Sequence, residues 1–196
     1  MRTEIKYTIT KLNRFLSSES TMSTPEFIQA HAHTHTNELI TLNLEYMSWV
    51  FAGIEKQFAI PQNDIVGMPV HEYVATVIDK VCGDPPPKGV FYLIKLDGNL
   101  VGMGGLRRLS DSVAEIKRVY IRPECRGKNL GELIFQRLIS DAKTFGYRKL
   151  CLDTALFMTA AHKLYERNGF VDCPAYENVE VPTEFHARWR FMEREI

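Results

Sequence analysis

The sequence predicts an α/β fold of the mixed α+β kind, a single sheet covered by helices on both faces. Three observations predict it. Two long stretches with one apolar helical face, residues 38–58 and 70–82, come early in the chain. A series of short strand-like runs separated by strong turn signals follows after Gly89. Helical and strand patterns then alternate to the C-terminus, giving the order strand, two helices, three strands, helix, strand, helix, two strands.

Each element has a local reason. Residues 4–12 alternate apolar and polar, with Ile5, Tyr7 and Ile9 on one face, and read as a half-buried strand. Residues 13–23 are Ser-rich and read as a loop. Pro25 is expected to open a helical stretch capped by Ser23 or Thr24. In the first long helix Leu39, Leu42, Tyr46, Trp49, Val50 and Ile54 recur at helical spacing, and Pro61 closes it. The Pro85–Pro87 run is expected to be an extended connector. Val90–Leu96 and Leu100–Leu106 flank Asp97-Gly98, a strong two-residue hairpin turn. Val113–Ile121 is the next strand after a turn at Asp111-Ser112. A helix is expected over about 127–145, with Leu130, Leu133, Ile134, Leu138 and Ile139 on its apolar side. Then come a strand at 149–153, a helix at 155–167 ended by Asn168-Gly169, and strands at 170–173 and 188–193.

A chain of 196 residues fits one domain with one core, here taken as 1–196. Lys plus Arg equals Asp plus Glu, so the formal net charge is zero, which argues against a general nucleic-acid binder. Cys82, Cys125, Cys151 and Cys173 have neither zinc-ribbon nor CxxC spacing and read as free thiols of a reducing compartment. Cys151 reads as a buried small hydrophobe, and Cys125 stands between charged residues. The N-terminus lacks the apolar core of a signal peptide, and no run approaches the ~20 apolar residues of a membrane span. A cytoplasmic protein is expected, with no membrane or nucleic-acid partner. His31, His33 and His35 alternate, but no acidic or Cys partner stands nearby, so no metal site is assigned to them.

The informative segment runs from Arg118 to Gly131. An apolar strand ends at Pro123, a short loop carries Arg126, Gly127, Lys128, Asn129 and Gly131, and an amphipathic helix begins at Leu130. This pattern makes an anion site. The first turn of a helix has amides without internal partners and the positive end of the dipole. Glycine lets a phosphate approach the backbone, and Arg126 and Lys128 add charge. The P-loop pattern GxxxxGK[ST] is absent. Gly102-Met103-Gly104-Gly105 lies on a strand with no helix after it, so it reads as a bulge or a close packing contact, not a dinucleotide loop.

The loop Arg126-Gly127-Lys128-Asn129-Leu130-Gly131 resembles the Arg/Gln-x-x-Gly-x-Gly/Ala loop of the GNAT superfamily of acetyl-CoA-dependent N-acetyltransferases. Asn129 stands where that family usually has Gly, a mild change because Asn tolerates left-handed backbone. The run from Ala161 to Phe170 is similar to the family's A-x-x-L-Y-x-x-x-G-F signature. The likeness covers roughly residues 36–193, and the run Glu115 to Pro123 with Leu152-Asp153-Thr154 resembles a bacterial-type branch of the superfamily whose acceptors are mostly small amines or amino-acid-like compounds.

That resemblance implies a mostly antiparallel sheet splayed between its fourth and fifth strands, with pantetheine in the gap. It implies acetyl-CoA as cosubstrate and no metal, with direct transfer to the primary amine of a small molecule. Val119, Tyr120 and Ile121 are then expected to contact the cosubstrate, with the Val119 amide at the oxyanion. Residues Arg126, Gly127, Lys128, Asn129, Leu130 and Gly131 are expected at the phosphates, and His162 and Tyr165 beside the pantetheine. Tyr165 matches the family's general acid, and Glu115 is the candidate base, acting through water. Residues of the first two helices, Tyr46, Trp49, Phe51 and Tyr73, with Pro85–Pro87, are candidates for the acceptor wall. Tyr176 and Asn178 are candidates for closing the pocket or for a homodimer contact. Two other readings remain open: an acetyltransferase acting on a protein N-terminus or lysine, and a CoA-binding regulator without catalysis.

Overall fold

Strand pairing, not local propensity, decides the start of the structure. The computed structural model describes residues 24–82 and 84–196, so the strand expected at 4–12 and the loop at 13–23 lie outside the described residues. Residues Glu26–Gln29 form a strand, β1, antiparallel to β2 (Val90–Leu96), with Phe27 opposite Ile94. The expected helix after Pro25 is therefore corrected. Four residues are too few to hold a helix alone, and pairing with β2 supplies the backbone partners.

After β1 come helix α1 (Thr36–Phe58), the short α2 (Gln62–Val66) and α3 (Val70–Cys82). Strands β2, β3 (Asn99–Arg108) and β4 (Val113–Ile121) follow. Helix α4 (Leu130–Thr144), strand β5 (Lys149–Ala155), helix α5 (Thr159–Arg167), β6 (Val171–Cys173) and β7 (Trp189–Glu195) complete the chain. The sheet order is β1-β2-β3-β4-β5-β7-β6, with every pairing antiparallel except β4 with β5. Asp97 and Gly98 both have positive φ, the backbone a two-residue hairpin needs. The Pro85–Lys88 segment is a turn, with the Lys88 and Gly89 amides donating to the Pro85 carbonyl, where an extended connector was expected.

Alternation on β2 divides the core. Phe91 and Leu93 pack with Leu39 and Leu42 of α1 and Ile78 of α3. Val90, Tyr92 and Ile94 face the other way, into the cluster of Ile134, Phe135 and Leu138 from α4. The glycines of β3 are small because neighbours lie against them: a Cβ on Gly105 would sit 2.2 Å from Phe91, and one on Gly102 2.5 Å from the Tyr120 carbonyl. Trp49 and Leu133, expected on apolar faces, are exposed to 38% and 40%, because each lies at the margin of its helix's buried stripe.

Only Val113, Ala114 and Glu115 of β4 pair with β5, opposite Lys149, Leu150 and Cys151. Beyond that the two strands part. The pairing of β3 with β4 slips where Met103 faces Tyr120 and Gly105 faces Lys117, so Arg118 and Val119 stand opposite the single Gly104. Arg118 has φ 53 within this bulge. No helix among the described residues is long and apolar enough to cross a membrane.

Candidate active site

The loop after β4 has the form its residues dictate. Gly127 and Asn129 both adopt left-handed backbone, φ 79 and φ 61, and Asn129 is the residue before the first turn of α4. Among the described residues the main-chain amides from Gly127 to Glu132 donate to no partner, and the first bond into the helix is from the Leu133 amide to the Asn129 carbonyl. A Cβ on Gly131 would meet only Leu164, at 4.0 Å, and one on Gly127 would meet nothing, so the cradle is open. Arg126 lies across the Trp49 ring, 5.6 Å from its centroid, and its Nε donates to the Ile121 carbonyl. These free amides and glycines fit a diphosphate.

Where β4 and β5 part, a cavity of about 440 Å³ opens under α1 and α2. Its walls are largely apolar, with Met47, Val50 and Phe51 from α1 and Phe185 and Trp189 across from them. Of the candidate acceptor-wall residues Tyr46, Phe51 and Tyr73 line it, whereas Trp49 and Pro85–Pro87 do not. Its charged lining is Lys117, Arg118, Asp153 and Glu180.

Glu115 is fully buried behind that lining. Its Oε2 accepts from Arg107 Nη2 at 2.5 Å and Nε at 3.0 Å, while Oε1 accepts from Tyr176 Oη at 2.7 Å and Lys117 Nζ at 3.4 Å. Burial pushes the Glu115 carboxyl above its ordinary range, with Asp153 adding and Lys117 and Arg107 opposing. Lys117 also reaches Asp153 at 3.5 Å and Glu180 at 3.1 Å, and Asp153 Oδ1 accepts from Trp189 Nε1 at 2.9 Å. Of the carboxylates in this cluster Asp153 and Glu180 lie on the cavity wall and Glu115 does not. The Asn178 carbonyl accepts from Arg107, so Tyr176 and Asn178 are tied to the buried network.

Burial alone would raise the Glu180 carboxyl, but Lys117 and Arg107 beside it, with bonds from Lys117 and Lys80, hold it at about 2. The sign follows from that depression. Its contribution to stability is complete above the ordinary carboxylate value of 4.5 and is lost as pH falls toward about 2. Thermal melts between about pH 6 and pH 3 are expected to fall more steeply for the wild type than for Glu180→Gln; parallel curves would contradict this.

Tyr165 packs its ring on Phe135, centroids 5.2 Å apart, and its hydroxyl makes no hydrogen bond among the described residues. Burial, with Tyr46 and Asp153 nearby, holds the phenol above its ordinary value and so protonated. His162, one turn earlier, has Nε2 3.1 Å from the Ala155 carbonyl, and burial lowers its pKa. Burial also pushes the Cys82 and Cys151 thiols up to about 12, keeping both protonated. Cys125 is part-buried against the core. His35 precedes the first turn of α1, and its Nδ1 accepts from the His31 amide.

The expected phosphate loop and the cavity thus lie at opposite ends of the parted stretch of β4, with Val119, Tyr120 and Ile121 between them. Sequence reasoning missed the ion network of Arg107, Lys117, Asp153 and Glu180, whose members lie up to 73 residues apart. No local pattern joins them.

The profile of the acetyltransferase (GNAT) family matches residues 55–170. The mouse N-acetylaspartate synthetase is 33% identical over 98 residues, which is 50% of this chain and 33% of that protein. The chain therefore spans about a third of the length of such curated relatives. A structure assigned as an acyl-CoA N-acyltransferase, from Klebsiella pneumoniae subsp. pneumoniae MGH 78578, aligns with TM-score 0.61 and 26% identity, covering 89% of this chain and 97% of that one. The PaiA N-acetyltransferase of Thermoplasma acidophilum, solved in complex with coenzyme A, shares the fold with TM-score 0.62 and 18% identity, covering 88% and 99%. With a family match over more than half its length, a sheet that parts after Glu115 and a left-handed loop leading into α4, this chain belongs to the GNAT acetyltransferases.

Proposed function

We propose that the protein transfers an acetyl group from acetyl-CoA directly to the primary amine of a small molecule. One observation carries this reading: the apolar-walled cavity opens on the same parted strands that end in the amide-lined loop. Acetyl-CoA, when bound, supplies an activated thioester carbonyl. The amides from Gly127 to Gly131, with Arg126 and Lys128, hold the diphosphate. Past Glu115, β4 has no neighbour on the β5 side, so the main chain at Val119, Tyr120 and Ile121 is open to an extended chain laid beside it. In this reading the Val119 amide donates to the developing oxyanion.

The buried phenol of Tyr165 keeps its proton until a thiolate beside it draws it, which suits a general acid. His162, kept neutral, contacts the cosubstrate. The amine's proton passes through water to the carboxylate cluster, in which Asp153 faces the cavity and Glu115 lies behind it, with Lys117 touching both. Aromatic walls around a bounded volume favour a small amine over a peptide. The left-handed Asn129 supplies the backbone a glycine would, which favours retained cosubstrate binding, and the protonated Tyr165 with Glu115 favours catalysis over a silent CoA-binding regulator.

A thiol-release assay with acetyl-CoA across amino acids, polyamines, aminoglycosides and peptides tests the reading. Release is expected with a small amine; release with peptides alone, or with none of them, overturns it. Tyr165→Phe is expected to lower turnover roughly 100-fold while leaving acetyl-CoA affinity unchanged. Unchanged turnover would remove Tyr165 from the mechanism.

A further inference from the structure

Among the described residues, one cation at the cavity has no counter-charge. Arg118 is only 8% exposed and lines the cavity. Its Nη1 donates to Asn43 Oδ1 at 2.7 Å, and among the described residues it pairs with no carboxylate. The neighbouring cations differ. Arg107 is paired with Glu115 and Glu180, and Lys117 with Glu115, Asp153 and Glu180. Asn43 is itself fully buried, and its Nδ2 donates to the Leu39 carbonyl at 2.8 Å, which fixes Oδ1 toward the guanidinium. Nε and Nη2 of Arg118 make no bond among the described residues, yet neither is a sealed, unsatisfied atom, so both remain accessible in a residue that lines the cavity.

The backbone is bent to deliver this side chain. Adjacent residues of a strand point to opposite faces. Lys117 and Arg118 nevertheless line the same cavity, because the bulge opposite Gly104 and the left-handed Arg118 break the alternation. A left-handed, non-glycine residue inside a strand is a strained conformation that packing must hold. A buried charge without its partner is costly. The planar guanidinium fork matches a carboxylate in a bidentate pair.

We propose that Arg118 is a carboxylate-binding subsite for the acceptor, and that the acceptor is an amino acid with an apolar or aromatic side chain. This rests on the acetyl-transfer reading above. The cavity then matches both charges of such a molecule: its carboxylate meets Arg118, and its amino group meets the side of the cavity bearing Asp153 and Glu180. The side chain lies against Met47, Val50 and Phe51.

The test uses 3-phenylpropionate, which has the carboxylate and ring but no amine, and its amide as control, titrated by calorimetry. The acid is expected to bind the wild type, to bind Arg118→Met about 100-fold more weakly, and to bind better than the amide. Failure of the acid to bind the wild type, equal binding of acid and amide, or an unaffected variant would overturn the subsite. Should Arg118→Met not fold, Asn43→Asp, which offers the guanidinium an internal carboxylate, is expected to weaken the acid instead; unchanged affinity there overturns the subsite equally. A parallel thiol-release assay compares phenylalanine with phenethylamine. Equal use of both sinks the subsite and keeps acetyl transfer. Arg118-dependent binding of the acid with no release from any amine sinks acetyl transfer and keeps the subsite.

Discussion

Arg107→Met is expected to destabilise the protein by about 3–5 kcal/mol, measured as a shift in the denaturant midpoint at constant slope. The arginine's side chain is 9% exposed and supplies two of the four bonds that Glu115 accepts. Its loss leaves a fully buried carboxylate on Lys117 and Tyr176 alone, and also removes the 3.0 Å bond to Glu180. Removing one member of such a pair costs far more than removing both, because what remains is a desolvated charge. The double variant Arg107→Met/Glu115→Leu is therefore expected to recover part of the loss. A single-variant effect below about 1 kcal/mol would mean the network is hydrated and contributes little.

Gly131→Glu is expected to abolish coenzyme A binding without unfolding the protein. A side chain here meets only Leu164, at 4.0 Å, so the fold has room for it. An acidic residue in the first turn of α4 also suits the helix dipole. What it would oppose is the proposed diphosphate. Two like charges about 4 Å apart at an effective dielectric near 20 repel by about 4 kcal/mol, or roughly a thousandfold in affinity. An unchanged melting temperature of the free protein with no coenzyme A saturation is the expected pair of results. Normal saturation would place the diphosphate elsewhere.

The elements that sequence made legible are those whose cause is local. The Asp97-Gly98 hairpin, the helix at α3 and the left-handed tolerance of Asn129 each follow from residues within a few positions. The parted strands were expected only through family resemblance, since no spacing rule reveals where β4 leaves β5. Strand β1 was misjudged because Pro25 suits a first helical turn, and only pairing with Ile94 and its neighbours decides otherwise. The site is legible in the same uneven way. The proposed phosphate loop is a continuous run, whereas Glu115 meets Tyr176 and Glu180 meets Arg107 across long stretches of chain. Tyr165 and Glu115 stood out by motif position, yet the cations and carboxylates that surround the cavity carried no sequence mark.

The bulge in β4 has a consequence for how acceptor preference changes in this scaffold. Which face receives Arg118 depends on a count of residues, not on residue type. Deleting Val119 would restore the regular pleat and turn the guanidinium to the opposite face, while the loop from Arg126 to Gly131 kept its composition. Chains with equal loops but a strand one residue shorter would present a different electrostatic lining to their acceptors.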